Sequence, residues 1–238
     1  MVFKIEIADD VLQKFPDIKV LLCEVKDVVI SEVDPRLEQF KEQTYSAVRG
    51  RFTLETLKDE PVFKAYRSFF WQIGIDPTKI RPAAEALIRR ILSGRSLPRI
   101  NIAVDAYNLA STTTCIALAA FDISKLNGQL IMRFANKGEA FLGIGMNKPV
   151  TLAGGEIVMA DASRLVAIYP YRDADCSRIT LQTKELTLVS CGVPGISLDQ
   201  LKEARALPSN ARTLFSFQFS PSRTVFFELN FCALFLRH

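Results

Sequence analysis

A short loop of polar and aromatic residues is the segment of this chain whose residue types are best suited to bind a ligand. Residues 169–175 read YPYRDAD and directly follow an apolar run that begins at Leu165. The fork of the Arg172 guanidinium can hold a carboxylate or a phosphate through two parallel hydrogen bonds. The alternative is that Arg172 pairs with Asp173 or Asp175 in a surface network. The residue types alone leave both interpretations open.

Basic residues in and around one predicted helix form a second candidate site. Asp76-Pro77 has the capping residue and the first-turn proline typical of a helix start, Arg81-Pro82 offers a second start, and Gly94 predicts the end. The basic residues of this stretch are Lys79, Arg81, Arg89, Arg90, Arg95 and Arg99. Because only Asp76 and Glu85 offset these charges locally, the stretch predicts either a patch that contacts RNA phosphates or an ordinary solvated helix face.

Composition excludes several classes of site. The chain has 238 residues and a formal net charge of +4, which permits RNA binding without requiring it. Its five cysteines form no CxxC pair, and its one histidine is the final residue, His238. We therefore expect no metal site, no cofactor, no disulfide framework and no mechanism that uses a histidine base. The sequence shows no signal peptide and no apolar run long enough for a membrane helix, so we expect a cytoplasmic protein with no membrane partner.

The elements that position these residues are predicted from periodicity and turn signals. Alternation near the start and the apolar run 20–30 predict strands, and the stretches 35–49 and 61–71 predict helices. Short apolar segments separated by Gly, Asn and Asp turns predict further strands at 102–104, 114–121, 129–134, 140–144, 157–160, 165–169 and 186–189. A helix capped by Ser197 is expected over 198–207. The fold class is therefore α+β, with N-terminal helices packed on a mixed or antiparallel central sheet.

Four stretches in order resemble one known family. They are YRSFFWQIGIDPTKIRPAAEALIRRIL with GRSLPRIN, NIAVDAYNLAS, ALAAFDISKLNGQLIMRFANKGE, and IVMADASRLVAIYPYRDADCSRIT with GVPGIS. Together they resemble the B3/B4 tRNA-binding domain of the phenylalanyl-tRNA synthetase beta subunit, and still more its stand-alone relatives. The resemblance runs from about Tyr66 to Ser197. It predicts one B3/B4-like domain over residues 1–207. The Phe-rich stretch 208–238 departs from the family and is interpreted as an atypical, divergent or frameshifted tail.

The resemblance implies an editing pocket on the sheet, of the kind that removes a wrongly attached amino acid from tRNA. Carried over by motif, its catalytic candidates are Asn108, Asp105 and Arg172. Its candidate substrate-binding residues are Asn101, Tyr107, Ala119, Phe121, Tyr169, Tyr171 and Asp173.

The residues themselves offer simpler readings for several of these positions. Asp105 has the type and place to cap a helix that starts at Ala106, and Phe121 closes an apolar run and fits the core. The residues Thr112 to Thr114 have hydroxyls for a ligand, although a β-branched strand start explains them as well. Cys115, inside the same run, is expected to be an inert buried thiol.

The chain also departs from the family at the positions that would recognise a tyrosine hydroxyl. Ala119 stands where the synthetase motif has a histidine, and Tyr171, Arg172 and Asp173 replace a Gly-Gly loop. A glutamate of the synthetase aligns near Val189. These differences argue against tyrosine as the substrate. A pocket that contains Arg172 and Asp173 is suited instead to an amino group, a carboxylate or a different side chain.

Two function classes remain at this point. The first is an aminoacyl-tRNA deacylase that acts in trans, with Asn108 and backbone amides orienting water and stabilising charge, since an ester is already activated and needs no strong base. The second is a non-catalytic module that binds RNA or an amino-acid-like ligand. Both readings make aminoacylated tRNA, and not DNA, the expected partner. The oligomeric state cannot be predicted, and ligase activity is excluded because no adenylation motif is present.

Overall fold

The computed structural model describes residues 4–210 of the chain, with side chains described as far as residue 206. The α-helices are α1 (Asp9–Lys14), α2 (Pro35–Arg51), α3 (Pro61–Gln72), α4 (Ala83–Leu92), α5 (Ile102–Thr114) and α6 (Leu198–Asn210). The strands are β1 (Ile5–Ile7), β2 (Val20–Val25), β3 (Ala117–Asp122), β4 (Leu130–Phe134), β5 (Ala140–Phe141), β6 (Val150–Thr151), β7 (Ile157–Ala160), β8 (Leu165–Ile168), β9 (Arg172–Asp173) and β10 (Leu186–Cys191).

The strands form two principal sheets, which confirms the predicted α+β class. One has the order β1-β4-β7-β8-β9, in which β1 and β4 are parallel and the other neighbours are antiparallel. The other is the antiparallel sheet β2-β10-β3. Strands β5 and β6 pair with each other in a small hairpin. The edge strands β3 and β9 matter below, because the candidate site lies between them.

The three-stranded sheet separates two apolar clusters. Successive side chains of a strand point to opposite faces. Phe121 and Val189 belong to the cluster shared with the five-stranded sheet and α3. Ala120 and Leu188 belong to the cluster shared with α2, α4 and α5. Phe121 has no exposed surface, which confirms the core position predicted for it.

One of the two predicted starts of helix α4 is wrong. Asp76-Pro77 forms only a turn, in which Asp76 accepts hydrogen bonds from the backbone and hydroxyl of Thr78, and α4 begins at Ala83. The residue before a proline is disfavoured in helical conformation, so Arg81-Pro82 excludes the earlier start. Lys79 and Arg81 therefore precede the helix instead of lying on its polar face.

The segment 102–104 is a second correction, because it is helical and not a strand. Helix α5 begins at Ile102 and is capped by Asn101, whose side chain accepts a hydrogen bond from the backbone N–H of Val104 at 3.0 Å. Asp105 lies inside the helix and does not cap it. The helix also continues through Thr112, Thr113 and Thr114, whose hydroxyls donate to the carbonyls four residues earlier. They do not start a strand, and Cys115 lies between α5 and β3.

The C-terminal helix begins where the sequence predicts. Ser197 caps α6 through its hydroxyl, which accepts from the Gln200 backbone N–H, while the Gln200 side chain accepts from the Ser197 backbone N–H. The helix runs to Asn210, beyond the predicted end at Leu207. The rest of the predicted atypical tail lies outside the described residues.

Candidate functional site

A cavity of about 250 Å³ opens between the edges of the two sheets and against α5. Its walls come from the first half of α5, the edge strand β3, the strands β7 and β8, and the loop that leads from β8 into β9. Seven of the residues predicted from the sequence line it: Tyr107, Asn108, Ala119, Tyr169, Tyr171, Arg172 and Asp173. The structure thus brings most of the predicted pocket together, although the role of each residue remains a prediction.

Two catalytic or binding candidates on α5 are occupied by structural contacts outside the cavity lining. Asn101 is buried and caps the helix. Asp105 is buried, pairs with the buried Lys41 ammonium at 2.6 Å and accepts the backbone N–H of Ile100 at 3.1 Å. Hydrogen bonds from Lys41 to Asp105 and Glu38 raise the pKa of Lys41 against the opposing effect of burial. Asp105 therefore fastens α2 to α5.

One helical turn further, α5 presents polar groups to the cavity. Tyr107 and Asn108 are half-buried and line its wall. Among the residues that the structure describes, neither the Tyr107 hydroxyl nor the Asn108 side-chain amide has a hydrogen-bond partner. Burial, with the nearby carboxylates of Asp173 and Asp105, raises the pKa of Tyr107, so its hydroxyl stays protonated. Both groups are available to a ligand.

Arg172 lies at the mouth of the cavity and is exposed. Its guanidinium donates through Nη1 to the carbonyl of Ile144 at 3.1 Å and forms no ion pair with a carboxylate of residues 4–206. Asp175 pairs instead with Arg178, at 2.7 Å. The side chain of Arg172 lies across Gly143, where an added Cβ would stand 2.6 Å from the Arg172 Cγ. Gly143 therefore permits this position of the arginine, and the remaining guanidinium N–H groups are free to bind an anion.

Asp173 places a carboxyl group inside the cavity. Burial raises the pKa of Asp173 to about 7, although a hydrogen bond from the backbone N–H of Ala120 and the nearby Arg172 charge both lower it. Within the described part of the chain, no lysine or arginine pairs with this carboxyl. Tyr107 and Cys191 line the same cavity, and the Asp173 carboxyl contributes to the raised pKa of both groups.

The side of the cavity formed by β3 is apolar. Ala119 lines the cavity, while Val189, its direct partner across β3 and β10, is fully buried in the same apolar cluster and does not line it. These are the two positions at which the sequence departs from the histidine and glutamate of the synthetase motif. The structure places them side by side, so two neighbouring apolar side chains stand here in place of the polar groups that the motif predicts.

The open edge of β3 adds backbone donors. The Ile123 N–H donates to the Glu185 carbonyl, so the antiparallel ladder assigns alternate residues of β3 to β10 and the others to the open edge. Ala120 and Leu118 belong to the second set, in agreement with the bond from Ala120 to Asp173. Leu118 lines the cavity, and its backbone N–H lies on this open edge.

The two tyrosines of the loop have different surroundings. Tyr169 is buried, and its hydroxyl donates to the carbonyl of Gly192, so only part of this residue borders the cavity. Tyr171 is half-buried, and its ring packs edge-on against Phe70 at a centroid distance of 6.2 Å. Tyr169 therefore supports the loop, while Tyr171 forms part of its surface.

The predicted basic patch is largely neutralised by contacts within the protein. Arg89 pairs with the buried Glu85 at 2.8 Å, and Glu85 also accepts from Arg67 at 2.9 Å. Arg99 pairs with Glu38 at 2.7 Å, Lys79 lies 3.8 Å from Asp76, and Arg90 donates to the carbonyl of Ser96. Within residues 4–206, Arg81 and Arg95 alone of the six pair with no side chain or carbonyl. Of the two interpretations, the solvated helix face describes most of these residues.

Several lining residues have no signal in the sequence. They are Val104, Leu118, Ile144, Met159, Arg178 and Cys191. Of these, only the position of Leu118 could be predicted, because the alternation of β3 assigns its backbone to the open edge once the pairing with β10 is known. The others reach the cavity through long-range packing.

Neither a metal site nor a membrane helix is found in residues 4–210. No three His, Cys, Asp or Glu side chains there come together as a ligand set, and none of these helices combines the length and hydropathy needed to cross a bilayer. The four cysteines of this part of the chain are free thiols. Burial raises the pKa of Cys115 to about 11, which fits the inert thiol predicted there.

Comparisons with known proteins agree with the geometry. The chain is 32% identical over 123 residues to the phenylalanine–tRNA ligase beta subunit of Wolbachia sp. subsp. Brugia malayi, which is 52% of this chain and 15% of that protein. It is 29% identical over 185 residues to the beta subunit of Paramagnetospirillum magneticum, 67% of this chain and 23% of the relative. The match thus spans less than a quarter of either relative.

A solved structure of an N-terminal fragment of the phenylalanyl-tRNA synthetase beta subunit from Pyrococcus horikoshii covers 91% of this chain and 50% of that fragment, at 11% identity. Its TM-score of 0.46 is too low to bear on the fold. The family model named B3/4 domain matches residues 65–235, which is well over half of the chain and includes all the cavity residues of α5, β3 and the 169–173 loop. The chain belongs to the B3/4 domain family.

Proposed function

We propose that this protein binds the aminoacyl end of tRNA and hydrolyses its ester in trans, as an aminoacyl-tRNA deacylase. The observation that carries the proposal is the cavity at which Asn108, Arg172 and Asp173 converge with polar groups that no other side chain of the described residues occupies. Membership of the B3/4 family and similarity to phenylalanine–tRNA ligase beta subunits support a tRNA-related substrate.

The size of the cavity supports an aminoacyl group as its occupant. A volume of about 250 Å³ is below the roughly 300–1,000 Å³ typical of sites that enclose a whole small molecule. An amino acid of modest size fits inside, while the terminal adenosine remains at the mouth beside Arg172. A phosphate of the tRNA end is then within the chemistry that a guanidinium fork recognises.

The chemistry needs a positioned water and donors for the negative charge that develops on the carbonyl oxygen. Water adds to the ester carbonyl carbon and the bond to the ribose oxygen breaks. One proton of the water restores the ribose hydroxyl, and the other passes to solvent as the amino acid leaves as a carboxylate. We assign to Asn108 the orientation of the water and to the Leu118 backbone N–H the donation of a hydrogen bond to the oxyanion. The apolar side chains of Ala119 and Leu118 on β3 help to exclude bulk water from the reacting group.

Deacylation of a panel of tRNAs, each charged with a different amino acid, tests the proposal. We expect hydrolysis of at least one charged tRNA above the rate in buffer, with a loss of about 10²-fold in Asn108→Ala and a clear loss in Arg172→Ala. Arg36→Ala is the matched control, because Arg36 is exposed, does not line the cavity and does not belong to the basic patch. If no charged tRNA is hydrolysed faster than in buffer, the proposal is wrong.

A second candidate is a module that binds an amino-acid-like ligand or RNA without chemistry. The lack of an imidazole in the described residues and the apolar pair Ala119 and Val189 favour it, since hydrolysis then depends on positioning alone. Binding of charged tRNA with no hydrolysis, weakened in Arg172→Ala, would select this function. In either case the protein is proposed to work with the translation machinery of the cytoplasm.

A further inference from the structure

We propose that the Asp173 carboxylate is the counter-ion for an ammonium group, so that the cavity recognises a ligand whose α-amino group is free. This inference rests on the proposed function and specifies it further. It assigns to one side chain the discrimination between an aminoacyl group and an acyl group without an amine.

Asp173 has no positively charged partner among residues 4–206. A carboxylate withdrawn from water is costly unless it is paired, and proteins normally supply the partner. Asp105 shows how this chain does so, with Lys41 at 2.6 Å. Asp173 has instead one backbone donor, Ala120, and no ammonium or guanidinium pairs with it among residues 4–206.

The second step is the arrangement of the groups that face Asp173. Tyr107 approaches from α5 and Cys191 from β10, and burial raises the pKa of both, so both stay neutral. Arg172, on the same strand, acts at longer range, because its guanidinium is turned to the Ile144 carbonyl. Arg178 is held by Asp175. The carboxylate is thus the charged group of the cavity interior, and a ligand ammonium is the partner whose charge it lacks.

The third step concerns the direction of the ligand. An aminoacyl ester places its ammonium one carbon from the reacting carbonyl. A ligand with its ammonium on Asp173 brings its carbonyl toward the β3 edge, because the Ala120 N–H acts on the Asp173 carboxyl and the Leu118 N–H lies on the same open edge. The ammonium site therefore fixes the orientation that the proposed hydrolysis requires.

Two hydrolysis-resistant probes test the inference in calorimetric titrations. Both are adenosines with an amide in place of the ester at the 3′ position, one acylated with L-alanine and the other with propionic acid, which has the same carbon skeleton without the amine. We expect the wild-type protein to bind the alanyl probe about tenfold or more tightly than the propionyl probe near pH 7. The preference should fall toward pH 5.5, as Asp173 becomes protonated.

Asp173→Asn should abolish the preference, because the amide has the same size without the charge. Asp175→Asn is the matched control in the same loop and should retain it, since that carboxylate pairs with Arg178. Equal binding of the two probes by the wild-type protein would overturn the inference. So would a preference that survives in Asp173→Asn, including the case in which only the hydrolysis rate falls in that variant.

The failures of the two proposals are distinguishable. Hydrolysis of charged tRNA together with equal binding of the probes rejects the ammonium site and leaves the deacylase. An alanyl preference that depends on Asp173, without hydrolysis of any charged tRNA, supports the ammonium site and rejects the deacylase in favour of the binding module. No binding of either probe by the wild-type protein rejects the ammonium site.

Discussion

Two aspartates, the buried Asp105 and the half-buried Asp173, show how differently the same side chain is used. Asp105 belongs to the contact between α2 and α5, where Lys41 neutralises it and the Ile100 backbone N–H completes its hydrogen bonding. Asp173 belongs to the cavity, where one backbone N–H meets it and no cation pairs with it within the described residues. The first is a completed structural contact, and the second has the incomplete pairing expected of a binding group.

The largest effect is expected when Lys41, the cation that pairs with Asp105, is removed. Lys41→Met should lower the free energy of unfolding by about 3–5 kcal/mol, because it leaves the Asp105 carboxylate buried and uncompensated. Chemical denaturation measures the loss. Glu38→Gln is the control, since Glu38 also contacts Lys41 but is partly exposed, and its change should stay below about 1 kcal/mol. A loss in Lys41→Met no larger than in the control would mean that Asp105 is not held as a buried ion pair.

Removing the charge of Asp173 should have the opposite sign. The carboxyl titrates at about 7 in the folded protein, against about 3.9 in the unfolded chain, so the unfolded state loses its proton first as pH rises. The free energy of unfolding of the wild type therefore falls between about pH 4 and 7, and Asp173→Asn does not share this fall. At pH 8 the variant should be more stable than the wild type by about 2 kcal/mol, and at pH 4 the two should be equal.

Denaturation of both proteins across this pH range measures the difference. Asp175→Asn serves as the reference for an aspartate that already has a partner, and it should show no gain at pH 8. An Asp173→Asn variant that is less stable than the wild type at pH 8 would show that Asp173 is a structural residue like Asp105.

A smaller effect is expected from the glycine that underlies Arg172. In Gly143→Ala the new Cβ would meet the arginine Cγ and Cδ at 2.6 and 2.8 Å, so the guanidinium must shift. We expect the deacylation rate, or the affinity for charged tRNA, to fall about fivefold to tenfold, as a displaced positioning group does. The melting temperature should change little, because Arg172 is exposed. Gly145→Ala, in the same turn, is not a suitable control for Gly143→Ala, because a side chain is strained at the φ of 78° that Gly145 adopts.

A second substitution tests whether the loss in Gly143→Ala comes from crowding around Arg172. Met146→Ala removes the sulfur that would lie 3.0 Å from the new Cβ, so the double variant should regain part of the lost function. Unchanged function in Gly143→Ala would show that the present position of Arg172 is not required.

The smallest effect is expected at the basic patch. Arg89 and Arg90 are held by Glu85 and by the Ser96 carbonyl, so Arg89→Gln should weaken tRNA binding by less than about twofold. The unpaired residues Arg81 and Arg95 should matter more, and the Arg81→Gln, Arg95→Gln double variant should reduce the salt dependence of binding by a slope of about 1–2. Titrations at several salt concentrations compare the two. A larger loss in Arg89→Gln than in the double variant would show that the internal ion pairs open when RNA binds.

The same contrast explains what could be predicted from the sequence. The strands β4, β7 and β10 and the helices α2 and α3 follow from periodicity and caps, because local pattern and tertiary packing agree there. The strand assigned to 102–104 was wrong because β-branched residues are only a weak preference, and the Asn101 cap together with packing against α2 and α4 makes this segment helical. The helix predicted to start at Asp76-Pro77 begins later, because Pro82 disfavours a helical conformation at Arg81.

The candidate site was predictable to the extent that neighbouring residues share one element. Tyr107 and Asn108, or Tyr171, Arg172 and Asp173, reach the cavity as groups. The ion pair of Asp105 could not be predicted, because its partner, Lys41, is 64 residues away in sequence and no local pattern reveals an ion pair of that span. The pairing of Ala119 with Val189 required the strand register as well.

A crystal structure of the protein with the alanyl-amide adenosine probe tests the central claim most directly. We expect the alanyl group of the probe to lie in the cavity, with its ammonium on Asp173 and its carbonyl toward the Leu118 backbone N–H. The adenosine of the probe should lie at the mouth beside Arg172. A probe bound elsewhere, with the cavity between Asn108 and Asp173 left unfilled, would contradict it.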